Sequence, residues 1–104
     1  MELMGDAYAY QNGSWPNSGY TLDYDNVTGR LSNNGLCLDA NSLGNKIYMS
    51  NACDYKNPHQ IWRPTLDGQL KVAVRNECID FGNPMIKYAC DPNNSNQKVS
   101  FVPI

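Results

Sequence analysis

Residues Gly35 to Trp62 read G-L-C-L-D-A-N-S-L-G-N-K-I-Y-M-S-N-A-C-D-Y-K-N-P-H-Q-I-W, and the chain downstream repeats them. From Asn76 it runs N-E-C-I-D-F-G-N-P-M-I-K-Y-A-C-D-P-N-N-S-N-Q-K-V. Cys78 answers Cys37 and Asp80 answers Asp39 at an offset of 41; Cys90 answers Cys53 and Gln97 answers Gln60 at an offset of 37. The copies therefore agree except for four residues lost between Asp80 and Cys90. Self-similarity at a fixed period is the mark of a repeat architecture and ranks ahead of any local reading.

Working outward, Thr28-Gly29-Arg30-Leu31 precedes the first copy as Thr65-Leu66-Asp67-Gly68-Gln69-Leu70 precedes the second. Each is a turn signal followed by a strand containing leucine, and Asp67-Gly68 is a strong hairpin mark. Upstream, Gln11 and Trp15 echo Gln60-Ile61-Trp62 with two extra residues between them, after a candidate strand at Ala7–Tyr10. The chain divides into one domain, 1–104, with the tail of a partial repeat at 1–15, a repeat at 16–62 and another at 63–104. Every apolar run is short: Ile47–Met49, Leu70–Val74, Met85–Ala89 and Val99–Val102. Gly, Asn, Pro and Asp separate them and no helical period lasts ten residues, so the fold class is all-β.

The 104 residues are 41% hydrophobic and 17% charged, with four cysteines, and the mean hydropathy is −0.55. Small domains bury a smaller share of their surface and often need covalent help. Four cysteines allow three pairings. The repeat favours Cys37–Cys53 with Cys78–Cys90, each closure stabilising by roughly 3 kcal/mol in the loop-entropy model. Disulfides persist in oxidising compartments, which points to a secreted or cell-surface protein. Met1–Asp6 lacks a basic region followed by an apolar one, so an exported form has shed its leader. A single histidine and no Cys-x-x-Cys pair argue against a zinc site. A net charge of −2 with scattered Lys and Arg argues against a nucleic-acid partner, and no apolar run reaches membrane-spanning length. No cofactor motif, catalytic spacing or nucleophile–base pair stands out, so the chain reads as a non-enzyme.

A Cys-Leu-Asp, a second cysteine and a Gln-x-Trp, recurring about every forty residues, resemble the ricin B-type lectins. The resemblance implies a β-trefoil, three four-stranded repeats around a pseudo-threefold axis. Two features depart from the family. Gln97-Lys98-Val99 lacks the tryptophan, and only two repeats are complete. The trefoil is therefore expected to be incomplete, with self-association or pairing with a missing repeat closing it. Trp62 and Trp15, at the ends of units, read as core plugs, with Phe101 doing that job for Val99. Leu31, Leu38, Ile47, Leu70, Ile79 and Ile86 complete the expected interior.

The resemblance also implies one sugar per repeat: an aspartate on vicinal hydroxyls, a ring on the apolar sugar face, and an Asn-Gln pair. The chemistry is independent of the family, since hexoses offer a C–H face and a rim of hydroxyls that need fixed partners. Charge-assisted bonds to a carboxylate are the stronger ones. In the second unit the set is Asp80, Tyr88 two residues before Cys90, Asn96, and Gln97 orienting the aspartate. In the first unit Asp39 and Gln60 are present, but Asn51 takes the ring's place and His59 that of the Asn partner. Tyr48 and Tyr55 lie close enough to supply a ring from another direction. The other reading has Asp80 and Gln97 satisfying backbone groups in a turn. The resemblance thus implies a lectin module for galactose-type glycans that targets a larger secreted protein, such as a toxin or glycosidase. The rival is a structural or protein-interaction trefoil that has lost sugar binding.

Overall fold

The computed structural model describes residues 7–11, 22–54, 56–82 and 85–103. The expected plug Trp15, residues 16–21 of the first complete repeat, Met1–Asp6 and Tyr55 lie outside the described residues. Among the described residues ten short strands follow one another: β1 Ala7–Gln11, β2 Leu22–Tyr24, β3 Leu31–Asn33, β4 Leu36–Asp39, β5 Tyr48–Ser50, β6 Trp62–Pro64, β7 Leu70–Val72, β8 Glu77–Asp80, β9 Ile86–Ala89 and β10 Val99–Pro103. One-turn 3₁₀ segments at Pro58–Gln60 and Ser95–Gln97 precede β6 and β10. These strands pair antiparallel, in a six-stranded sheet ordered β10-β1-β2-β3-β4-β5 and a four-stranded sheet ordered β6-β7-β8-β9. The all-β reading holds.

Turn chemistry fixes the hairpins. Asn34 and Gly35, both at positive φ (53° and 80°), join β3 to β4 as a two-residue loop. That backbone twist matches the strands it connects, and Asn-Gly adopts it at least cost. Gly29, at φ 81°, serves another purpose: its carbonyl accepts the Trp62 N–H over 2.7 Å. A Cβ there would lie 2.9 Å from Ile61 Cγ2, so only glycine lets the two sheets approach. Val99 N–H donates to Gly68 O over 2.8 Å at the equivalent place one unit later.

The interior lies between the sheets. Leu22, Tyr24, Leu31, Leu38, Ala40, Trp62, Leu70, Val72, Ile79, Phe81 and Val99 form one buried cluster. Trp62 is its largest member, and its indole Nε1–H donates to Leu38 O over 3.2 Å, so the plug leaves no polar group unpaired. Tyr24 crosses between the sheets, its hydroxyl donating to Trp62 O over 2.7 Å, and its ring meets Phe101 at 5.5 Å between centroids. Ile47, Met49, Met85 and Phe101 pack against the cluster. Ile86 is half-buried and outside it. The pairing of β8 with β9 sets Lys87, and not Ile86, opposite Ile79.

The first and last described strands pair. β1 pairs with β10 from Ala7↔Pro103 to Gln11↔Val99, and with β2 from Ala7↔Tyr24 to Ala9↔Leu22. β1 thus flanks both β10 and β2.

Candidate carbohydrate sites

The two units carry the same local machinery. Asn57 and Asn94 each cap a 3₁₀ turn, their side-chain oxygens accepting from His59 N and Asn96 N over 3.0 Å. The capping backbone angles agree to within a few degrees (φ −91°, ψ 106° and φ −89°, ψ 106°). His59 O accepts from Ala40 N over 3.0 Å, and Asn96 O from Phe81 N over 2.8 Å. Each turn is thereby bound to the residue that follows the unit's aspartate. Disulfides Cys37–Cys53 and Cys78–Cys90 hold the hairpins from behind, with Cα atoms 5.4 and 5.0 Å apart. The pairing favoured by the repeat is the one formed.

In the first unit Asp39 is buried, and both carboxylate oxygens are engaged. Oδ2 accepts from Gln60 Nε2 over 3.0 Å, and Oδ1 from the Asn41 N–H over 2.7 Å. Gln60 also donates to Ala52 O and accepts from the Asp54 N–H, so one buried amide joins strand, loop and turn. Tyr48 stands opposite Asp39 in the β4–β5 pairing. Its phenol is held above the usual tyrosine range, first by loss of solvent, then by the Asp39 charge and a hydrogen bond to that carboxylate. The ring beside Asp39 is thus Tyr48. Asn51 is exposed in the loop after β5 and His59 is half-buried at its turn. The His59 Nδ1 atom is nonetheless buried, with no hydrogen-bond partner among the described residues.

In the second unit Asp80 is likewise buried, but a different amide holds it. Oδ1 accepts from the Gly82 N–H over 3.0 Å and Oδ2 from Asn94 Nδ2 over 3.0 Å. Gln97, expected to orient this aspartate, is fully buried and turned elsewhere. Its Nε2 donates to Ala89 O and Tyr88 O, and its Oε1 accepts from the Asp91 N–H and Gln69 Nε2. Asn94 fills the place beside Asp80 that Gln60 fills beside Asp39, leaving Gln97 to fix the backbone that carries Tyr88. Asn96 is exposed at its turn.

The strand register explains another difference. Counting back from the second cysteine makes Tyr88 the counterpart of Asn51. Pairing sets Cys78 against Tyr88 but Cys37 against Ser50, so the shortened hairpin has slipped by one residue. A slip of one exchanges the faces of a strand. Tyr88 shares the face of Asp80 as its diagonal neighbour, roughly 7–8 Å away at Cα.

The family description of a ricin-type beta-trefoil lectin domain matches residues 16–102. The chain belongs to that family. Among solved structures, one titled crystal structure of GalNAc-T7 with UDP, GalNAc and Mn2+ shares the fold of this lectin domain. The TM-score is 0.65 at 15% identity, over 91% of this chain and 17% of that one. A comparison with curated proteins finds no relative. β1 and β2 pair with each other and are flanked by β10 and β3. A ricin-type lectin domain is a carbohydrate-binding, non-catalytic module.

The lectin domain has a further hollow, of about 220 Å³, lined by Asp25, Arg30, Ser32, Gly35 and the Cys37–Cys53 bridge. None of the expected sugar-contacting residues lines it. Asp25 is held below the usual carboxylate range, chiefly by the Thr28 N–H and also by the Val27 N–H, against the opposing effect of burial. This carboxylate organises the β2–β3 turn.

Proposed function

We propose that the domain recognises galactose-type terminal sugars and targets a larger secreted protein, such as a toxin or glycosidase, to cell-surface glycans. The observation that carries the reading is the pair of buried aspartates, each with both oxygens already oriented and each beside a surface tyrosine. Tyr48 is 42% exposed and Tyr88 50%. A carboxylate fixed in this way still has lone pairs to accept vicinal hydroxyls, and a half-exposed ring offers a face for sugar C–H groups. In the second site Asp80, Tyr88 and Asn96 make the contacts, with Gln97 holding the Tyr88 backbone. In the first, Asp39 and Tyr48 lead, with Gln60 behind the aspartate and Asn51 and His59 at the rim. Galactose follows from the family likeness, while the geometry asks for a polyol with a stackable face. Two disulfides support an extracellular setting.

Titration of ¹⁵N-labelled protein with lactose, against maltose as control, tests this. Lactose should shift amides around Asp80, Tyr88 and Asn96, and Asp80→Ala should abolish those shifts with the fold intact. Silence toward a panel of glycans would support the rival, a protein-interaction trefoil. The exposed Asn51, standing where the family places its ring, favours that rival for the first unit.

A further inference from the structure

Lys87 belongs to the second unit, yet its ammonium serves the first. It lies on β9 opposite Ile79, the register position that Met49 takes opposite Leu38 one unit earlier. Met49 packs against the apolar cluster. Lys87 is 0% exposed at the matching place. A buried ammonium persists only where donors meet acceptors and the charge is balanced. Its Nζ donates to Ala40 O over 2.6 Å and to Ser42 O over 2.9 Å, and Glu77 Oε1 lies 3.9 Å away. The Lys87 backbone N–H donates to Asn45 O over 2.9 Å. One residue of the second unit thus clamps the 40–45 loop of the first.

The target of that clamp is specific. The Ala40 carbonyl and the Asn41 N–H are the two ends of one peptide group. The carbonyl accepts from Lys87, and the N–H donates to Asp39 Oδ1 over 2.7 Å. An ammonium on one side and a carboxylate on the other polarise the peptide in the same direction, and hydrogen bonds in such a chain strengthen one another. The preceding N–H, of Ala40, donates to His59 O, so the same turn also meets the rim of the first site. Tyr88, the ring of the second site, is the next residue on β9.

We infer that Lys87 is a positioning residue for the first sugar site: its ammonium, acting through the Ala40–Asn41 peptide, fixes the carboxylate of Asp39. The inference rests on the carbohydrate reading of Asp39, and it makes the first site dependent on the second unit. Removing the ammonium leaves the Ala40 carbonyl with the Ser42 N–H alone, takes the donor from the part-buried Ser42 carbonyl, and loosens the peptide that orients Asp39. The second site, whose aspartate is held by Gly82 and Asn94, keeps its geometry.

The experiment uses the full chain with Lys87→Met, a residue of the type found at the matching register position. Lactose affinity is measured for the first site in an Asp80→Ala background and for the second in an Asp39→Ala background. Without sugar, hydrogen exchange of the Asn41 amide and the Gln60 side-chain amide shift are followed by NMR. The expected result is a tenfold or greater loss of lactose affinity at the first site and less than twofold at the second. Asn41 exchange should speed up at least tenfold. A lysine with only a structural role would lower the thermal midpoint and leave both affinities in their original ratio, with the Asn41 amide still protected. That result overturns the inference. Should the methionine variant not fold, Lys87→Gln, which keeps a shorter neutral donor, is read by the same two measurements. If the unmodified chain binds no lactose, the carbohydrate reading fails, and the Asn41 exchange rate still decides whether Lys87 fixes Asp39.

Discussion

Asn94 Nδ2 donates to Asp80 Oδ2 over 3.0 Å, where Gln60 holds Asp39 in the preceding unit. Asn94 also caps its 3₁₀ turn through Oδ1, so its two ends have separable duties. Asn94→Asp keeps the capping oxygen, removes the donor and sets a like charge beside Asp80. Sugar binding at the second site should fall more than tenfold while the thermal midpoint moves little. Gln97→Ala is the converse. It strips four hydrogen bonds from a buried position, two of them to β9 and one to the loop that follows it. Leaving such groups unpaired should cost about 3 kcal/mol or more, read by denaturant unfolding.

Much of this was legible in the sequence, for physical reasons. The repeat fixed the disulfides because a cysteine pair within each unit recurs with the hairpin it staples. Trp62, Leu31, Leu38, Leu70 and Ile79 were recognisable as interior because their spacing follows the strands of a known repeat. Asp39 with Gln60 came out of the same alignment. The deletion between Asp80 and Cys90 misled it. Residues aligned on cysteines hide a one-residue register slip, which only backbone pairing reveals, and Lys87 therefore carried no signal as an interior group. Asn94 was hidden behind Gln97, since either amide can reach the aspartate in a linear reading. Asn34-Gly35 was a readable hairpin mark that went unused beside Asp67-Gly68.

Two glycines at positive φ separate steric from conformational cost. Gly35→Ala adds a methyl to open space, with nothing within 4 Å. Its penalty is the left-handed backbone alone, about 1–2 kcal/mol. Gly29→Ala pays that and also places Cβ 2.9 Å from Ile61 Cγ2 and 3.0 Å from Trp62 O. The Trp62–Gly29 bond between the sheets must then open. Paired urea titrations should show Gly29→Ala as the costlier change by about 2 kcal/mol, counting a lost hydrogen bond and local strain. Equal costs would mean that the sheets are not held at this point.

The phenol of Tyr24 makes the fold sensitive to alkali. Burial pushes it above the ordinary tyrosine value, outweighing the opposing effect of the nearby Arg63 guanidinium. The folded chain therefore holds this proton more tightly than the unfolded one. The associated stability is fully present below the unfolded value, near 10, and is lost as pH rises through the folded value. Tyr24→Phe deletes the bond to Trp62 O, costing about 1 kcal/mol at neutral pH. The same variant should flatten the decline above pH 10 in chemical denaturation. An unchanged alkaline limb would show that another group titrates there.

Strand β1 supplies the last test. It is the only described segment before β2, and it satisfies the flanks of two strands at once, over five register positions with β10 and three with β2. An unpaired strand edge is a template for another chain. Removal of residues 1–11 bares one flank of β10 and one of β2 together, on strands that carry Val99 and Tyr24 of the core. Light scattering after size exclusion should find the shortened chain associated or aggregated under conditions where the full chain has a defined mass. Its cooperative unfolding transition should be lost or moved to much lower denaturant. A shortened chain that stays monomeric with an unchanged midpoint would show that β1 is dispensable, and that the two complete units close against each other without it.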